Sequence, residues 1–411
     1  MEVVESYDHQ PGVHCGATAL RNVSRYYGWN DSEATCFGIG GGPAFVRYDH
    51  PEQPWDTFRT SPTWLERAYF ERLGIPHLFR ERDDFSTAWE NATAHVDDDP
   101  VILYLDPSSL EYLPDDQHHL PPHVVVMIGY DDETVQLSDG AVDEPRGISR
   151  ETLADAWTHD RFVPIEREFL VVTRAVRTRD ETDAVAAGLG QAATYMLEPL
   201  QIKRDARGPG AEGLPALRSF GEALESWSNL ADPTGPVRAA RRSIDEHGEG
   251  AAFRGLYADA LEELGQRTGL ALALSDRMER VAGEWRIVAD VLDGILDGGD
   301  STPGAFAEAA SVVGEIADRE ESIFEDIARA IEALDEFDVS YELTATDTVV
   351  EADDVDEVFN AALAAHNAVE GSRLITSLEV EERRDREQHA ADRVESVANV
   401  LGHEPKRERG T

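Results

Sequence analysis

The apolar residues of this chain change their period near residue 175, and that change limits what each half can fold into. Before it, short β-branched runs at 100–105, 123–130, 134–138 and 165–173 mix with helical stretches near 62–73 and 150–158, which predicts an α+β domain over residues 1–176. After it the spacing is helical. Leu217, Phe220, Leu224, Trp227 and Leu230 form one stripe, and Met278, Val281, Trp285, Val288, Leu292 and Ile295 form another. A third helix opens with Thr302 as N-cap and Pro303 at its first position, and buries Val313, Ile316, Ile323, Ile327, Ile331 and Leu334. Residues 177–411 therefore read as an all-α domain, with a solvated, mixed-charge helix from about Leu378 and a frayed tail from His403.

Charge sets the surroundings such a chain can tolerate. It carries 82 acidic and 37 basic residues, a formal net charge of −45 over 411 residues, and Lys203 and Lys406 are its only lysines. A chain so acidic repels nucleic acid and anionic membrane and stays soluble where salt screens its self-repulsion, so the expected setting is a halophile cytosol. A disordered acidic protein is the competing reading. It is disfavoured because 41% of the residues are hydrophobic and recur periodically. The opening MEVVESYD has no signal-peptide pattern, no apolar run approaches membrane-spanning length, and two cysteines make no disulfide framework. Both cysteines are expected to be reduced.

One of them, Cys15, stands in the run His14-Cys15-Gly16-Ala17-Thr18-Ala19-Leu20-Arg21-Asn22, at the mouth of a helix predicted from Ala17 to about Tyr27 and ended by Gly28. Unpaired N–H groups and a partial positive charge at a helix N-terminus favour thiolate over thiol and can hold an oxyanion. The plain alternative is a small buried hydrophobe. About a hundred residues later, His123 opens one β-branched run and Asp139 closes the next, across Asp131-Asp132-Glu133, so the pair reads as a hairpin. With a three-residue loop at 131–133, Asp139 lies opposite Val125 and is the diagonal same-face neighbour of His123. A slip of one residue would separate them, and both faces are too apolar for alternation to fix the register. A nucleophilic cysteine needs a base and a group to orient that base, and Cys15, His123 and Asp139 supply those roles in that order.

These residues carry a resemblance. The run HCGATALRN, then Ser32-Glu33 leading to Phe37-Gly38-Ile39-Gly40-Gly41-Gly42, then HVVVMIGYDDE and a following LSDG, resembles the N-terminal domain family of butirosin biosynthesis protein H over about residues 8–173. The segment Gly248–Asp259 is similar to part of the helical domain of unknown function that often follows it. The family resembles papain-like peptidases that cleave bacteriocin leader peptides, and its named member is an acyltransferase acting on a carrier-protein thioester. The resemblance implies Cys15 as nucleophile, His123 as base and Asp139 as orienter. One departure stands out, because papain-like enzymes place an oxyanion-hole glutamine six residues before the cysteine. Gln10 is five before Cys15, so it is only a candidate, and backbone N–H groups including that of Cys15 are the other donors.

The remaining motifs are read against plainer explanations. Gly40, Gly41 and Gly42 fit neither a dinucleotide fingerprint nor a Walker loop, and signify a turn needing positive φ or a backbone approaching a substrate; the resemblance favours a wall of the cleft. Arg254 and Tyr257 are candidates to face the cleft and hold a substrate carboxylate or phosphate, although Phe253, Leu256 and Tyr257 also fit a helix core. His118, His119 and His123 suggest a metal, but Pro121-Pro122 break their spacing and no second ligand pair follows, so neither metal nor cofactor is expected. The first functional expectation is a cysteine acyltransferase that takes an acyl group from a thioester of carrier-protein or coenzyme-A type to a small amine, with the helical domain as the face for any self-association. Two others stay open: a cysteine peptidase or amidase of the bacteriocin-leader type, and a catalytically silent binding module.

Overall fold

The computed structural model describes residues 2–351 except 49–54, 61–62, 97–98, 114–121, 160–163, 200–209, 246–247, 269–271, 299–301, 336–339 and 344–347, together with residues 359, 360 and 363. The charged helix read from Leu378 and the tail from His403 lie outside these residues, as do His118 and His119.

The first half runs β1 (Glu2–Val3), α1 (Cys15–Tyr26), α2 (Glu33–Gly40), β2 (Pro43–Tyr48), β3 (Trp55–Arg59), α3 (Trp64–Arg72), β4 (His77–Arg80), α4 (Phe85–Val96), β5 (Val101–Leu105), β6 (His123–Tyr130), β7 (Thr134–Ser138), β8 (Arg146–Ser149), α5 (Arg150–Ala156), β9 (Thr158–His159), β10 (Ile165–Glu166) and β11 (Phe169–Val172). Seven of these strands form one sheet in the order β4-β11-β5-β6-β7-β8, with β1 added to β6; the pairings are antiparallel. The central strand is apolar on both faces because both are covered. Val124, Val126 and Ile128 pack with Leu20 and Val23 of α1, while Val125 and Met127 pack with Trp89 of α4 and with Trp157. This is an α+β architecture, and helices dominate after it.

The second half runs α6 (Glu181–Leu197), β12 (Gly210–Glu212), α7 (Gly213–Trp227), α8 (Thr234–Ile244), α9 (Arg254–Thr268), α10 (Ser275–Leu296), α11 (Pro303–Asp335), β13 (Ser340–Leu343) and β14 (Thr348–Glu351). Most of the expected stripe positions are buried, from Leu217 and Phe220 on α7 to Trp285 on α10 and Val313 and Ile327 on α11, but Leu230 is exposed because α7 ends at Trp227, three residues before it. Thr302 caps α11, its hydroxyl accepting from Ala305 N at 3.4 Å. Two features depart from an all-helical reading, the β13–β14 hairpin and β12, which pairs with β2 of the first half.

The two halves share one apolar core, in which Phe37, Phe45 and Phe58 join Phe220, Tyr257 and Trp285. Phe58 meets the Trp285 ring edge-on with centroids 4.8 Å apart. The glycine cluster belongs to this junction. Gly40 ends α2, and Gly41 is its left-handed cap at φ 74°. Across from them, Gly188 of α6 lets the helices approach so closely that a Cβ there would stand 2.6 Å from Gly38 O.

Candidate active site

Helix α1 begins two residues earlier than predicted, so Cys15 is its first residue and not its approach. The difference comes from His14, whose imidazole acts as the cap: Nδ1 accepts from Ala17 N at 3.1 Å. Its ring is held edge-on against Phe37 and Phe253, at centroid distances of 5.0 and 4.9 Å. Burial, then the nearby Arg59 cation, keep His14 neutral with its pKa well below the usual imidazole value. In the first turn the backbone N–H groups of Cys15 and Gly16 have no intrahelical acceptor.

The segment before Cys15 is fixed by Glu33 at the start of α2. Its Oε1 accepts from Val13 N at 2.9 Å, His14 N at 2.7 Å and Thr18 Oγ1 at 2.8 Å. Gly12 N donates to Gly140 O at 3.0 Å, tying the nucleophile's loop to the residue after Asp139. No side chain fits at Gly12, where a Cβ would lie 2.3 Å from Thr18 Oγ1.

The hairpin brings His123 and Asp139 together by a route the sequence did not disclose. At the turn the register is Tyr130 opposite Val135, one residue off the predicted pairing; a β-bulge between Met127 and Gly129 then restores Val126 opposite Ser138. Continued by one residue, that register sets Asp139 opposite Val125. His123 Nε2 contacts both Asp139 oxygens at 2.9 Å, with the two side chains 2% and 0% exposed. Asp139 also accepts from Tyr112 OH at 2.8 Å and Ala141 N at 2.9 Å. With Nε2 so committed, Nδ1 is the nitrogen left for the hydrogen bond between His123 and Cys15.

Arg59, at the end of β3, is a site residue that sequence reading missed. Its Nη1 lies 3.4 Å from the Cys15 sulfur. Nothing local marks this arginine, since β3 is placed by pairing with β2 and by packing of the two strands against α7 and α8 of the second half. Burial pushes the Cys15 thiol up, but the Arg59 cation and then the hydrogen bond and charge of His123 outweigh it and bring the thiol down to about 6. Burial opposes charge on His123 too, and the Asp139 carboxylate overcomes it, raising the imidazole to about 10. Between those values the pair is thiolate and imidazolium. Burial, chiefly, and the Cys15 charge raise Glu66 of α3 to about 7. Its buried Oε1 has no hydrogen-bond partner among the described residues and lies 1.9 Å from where a Cβ on Gly16 would be.

Cys15, His123 and Arg59 line a cavity of about 80 Å³ whose wall also includes His14, Phe58, Ser243 and Phe253. Ser243 and Phe253 come from the helical half, which therefore covers the site.

Several expected site residues stand elsewhere. Gln10 directs its amide to Asp8, 3.4 Å away, and only its backbone carbonyl is held, by Arg21 and Asn22 at 2.7 and 3.0 Å; it is not a wall of the cavity. Gly40, Gly41 and Gly42 face Leu65, Arg72 with Gly188, and the Phe37 ring, so they serve helix packing and not a cleft wall. Arg254 is fully buried and spent, donating to Glu320 at 2.8 and 3.0 Å and to the carbonyls of Ala44, Phe58 and Ala252 at 3.1 Å. Tyr257 is stacked on Phe324 in the core. Among the described residues no cluster suits a metal ion, and no helix is long and apolar enough to cross a membrane.

Cys15 at a helix start thus faces an antiparallel sheet that carries His123, itself paired with the Asp139 carboxylate. Residues 14–140 match the family model described as Butirosin biosynthesis protein H, N-terminal, and residues 151–327 match a domain of unknown function, DUF4872. The two matches follow one another along the chain, the butirosin-H model first and its helical companion second. A third model, described as Thiamine-binding protein, matches residues 312–398. A UPF0045 protein of Methanothermobacter thermautotrophicus is 43% identical over 78 residues, 18% of this chain and 79% of that one, so the chain also contains a member of the UPF0045 family. A second, from Methanocaldococcus jannaschii, is 30% identical over 19% of this chain and 80% of its own. A solved structure described as a C39-like peptidase from Bacillus anthracis is similar over 43% of this chain and all of that chain, at 14% identity and a TM-score of 0.31.

Proposed function

We propose that the protein is a cysteine-dependent acyltransferase of secondary metabolism that moves a small acyl group from a thioester, of carrier-protein or coenzyme-A type, to an amine. The observation that carries this reading is the thiolate–imidazolium pair of Cys15 and His123 inside a covered cavity of about 80 Å³. That volume suits a short acyl group, since water occupies about 30 Å³ per molecule in the liquid.

In this reading the Cys15 thiolate attacks the thioester carbonyl, and the electron pair of the C=O bond moves onto oxygen. Collapse breaks the bond to the donor sulfur, which leaves with the proton of the His123 imidazolium. His123, now neutral, takes a proton from the incoming amine as it attacks acyl-Cys15, and Asp139 steadies the imidazolium that re-forms. Phe253 and Ser243 keep water from the intermediate until the amine arrives. Intact mass after exposure to a panel of acyl thioesters tests this: an adduct on Cys15 that an added amine removes supports transfer. Ready peptide cleavage with indifference to thioesters would replace it with the peptidase reading, and a Cys15→Ala variant identical to the parent on every substrate with the silent module.

A second reading applies to residues 312–398 alone. The thiamine-binding family match there supports a separate small-ligand function, tested by calorimetric titration of the whole protein with thiamine, where no heat at millimolar ligand would end it. The charge of −45 supports residence in a high-salt cytosol.

A further inference from the structure

We propose that Arg59 is the oxyanion donor of this site, its guanidinium holding the acyl oxygen as that oxygen becomes negative. The inference rests on the acyl-transfer reading above. It answers a gap in the site, because Gln10 turns its amide to Asp8 and leaves the backbone N–H of Cys15 without a side-chain companion.

Three observations converge on Arg59. Its Nη1 is 3.4 Å from the Cys15 sulfur, and the oxygen of a tetrahedral adduct lies only two bonds from that sulfur, so a donor in contact with one is within reach of the other. It is also the unspent arginine of the neighbourhood. Arg47 is paired with Asp56 and Arg254 with Glu320, whereas among the described residues the Cys15 sulfur is the sole hydrogen-bond or ion-pair partner of Arg59, in a chain with 82 acidic residues. Four of its five N–H donors remain for a ligand. Finally, its place is fixed: Arg59 is in register with Pro43, Thr60 N donates to Gly42 O at 2.8 Å, and the preceding Phe58 is locked against Trp285. As the carbon–sulfur bond forms, charge moves from sulfur to oxygen, and a cation that touches both positions follows it without reorganising.

The test compares two reactions of the same thiolate. With p-nitrophenyl acetate, a bond forms between Cys15 sulfur and the acyl carbon, the ester C–O bond breaks and p-nitrophenolate leaves; an oxyanion intervenes. With iodoacetamide, the carbon–sulfur bond forms as iodide leaves, and no oxyanion arises. Both rates are followed by intact mass from pH 6 to 9 on the full-length parent, Arg59→Gln and Arg59→Lys. With each acetylation rate divided by the alkylation rate at the same pH, which cancels the thiolate fraction, Arg59→Gln is expected to show a ratio about 10²–10³-fold below the parent's, with Arg59→Lys partly restored. Intact alkylation confined to Cys15 also shows that the variants are folded. Should acetylation and alkylation fall together and both recover at high pH, Arg59 only tunes the thiol and the proposal is overturned. If the parent alkylates at Cys15 yet takes no acyl group from this ester or from thioesters, the acyl-transfer reading fails and carries the proposal with it.

Discussion

Replacing Arg254 by methionine separates a structural clamp from a substrate contact, and its cost follows from the contacts. The guanidinium meets Glu320 through two hydrogen bonds of 2.8 and 3.0 Å, both side chains fully buried. Stripping a buried carboxylate of its partner costs about 3–5 kcal/mol. Three carbonyls, on Ala44, Phe58 and Ala252, lose their donor as well, at roughly 1 kcal/mol each. A sum on the order of 6 kcal/mol rivals the whole stability of many domains. With an unfolding entropy of about 2 cal/mol/K per residue over ~340 residues, it lowers the melting midpoint by about 8 °C.

Near-ultraviolet circular dichroism in molar potassium chloride reads this through the buried Trp285 and Trp157. One transition is expected, because Arg254 joins β2 and β3 to α9 and α11 within a common core. Adding Glu320→Leu should recover the carboxylate's share, about 3–5 kcal/mol, and leave the carbonyls'. An Arg254→Met protein that melts within about 2 °C of the parent while its KM rises tenfold would refute the clamp and return Arg254 to the substrate.

Other expectations follow from the same geometry. Cys15, lowered to about 6, should alkylate at pH 6 far faster than Cys36, which burial holds well above the ordinary thiol value; equal labelling would remove the case for Cys15. The pH profile of acylation should rise near pH 6 as the Cys15 thiol ionises and fall near pH 10 as His123 loses its proton. Asp139→Asn removes the carboxylate that raises His123, so the upper limb should move to lower pH and kcat/KM fall by about 10²–10⁴; an unmoved limb would contradict the assignment. Melting midpoints should climb from low to molar potassium chloride, since a shorter Debye length weakens repulsion within a chain of net charge −45, and a flat or falling midpoint would end the halophile reading.

What the sequence disclosed was whatever is written in local period and local chemistry. The strands at 123–130 and 134–138, the helix start at Cys15, the cap at Thr302 and most of the stripes of α7, α10 and α11 are all of that kind. What it withheld depends on long-range packing. Strands β2 and β3 are short and lie next to a glycine run, so nothing in their neighbourhood announced that Arg59 would reach a sulfur 44 residues back in the chain. The glycine run reads as a turn because a helix with two glycines among its last three residues is a poor helix by propensity; Gly41 does take the positive φ of a turn, while α6 and α3 packed across α2 supply the stabilisation that propensity lacks. Arg254 looked like a ligand for an anion, and it is one. The anion is Glu320, 66 residues further on.

The pairing of His123 with Asp139 was reached from the sequence through an intermediate step that the structure corrects. A three-residue loop sets Tyr130 opposite Thr134; the turn instead sets Tyr130 opposite Val135, with Asp131 Oδ1 accepting from Glu133 N and Thr134 N at 3.1 and 2.8 Å. Carried unbroken to the far end, that register would have turned Asp139 away from His123, because a shift of one residue exchanges the faces of a strand. The extra residue at Ile128 cancels the shift. The turn chemistry of Asp131 and the demands of the site thus favour different registers, and the bulge lets each end of the hairpin keep its own. A strand apolar on both faces can accept such a bulge at small cost, since the side chains it exchanges are buried on either side. The double-faced burial that made the register illegible is therefore also what allows the bulge that assembles the site.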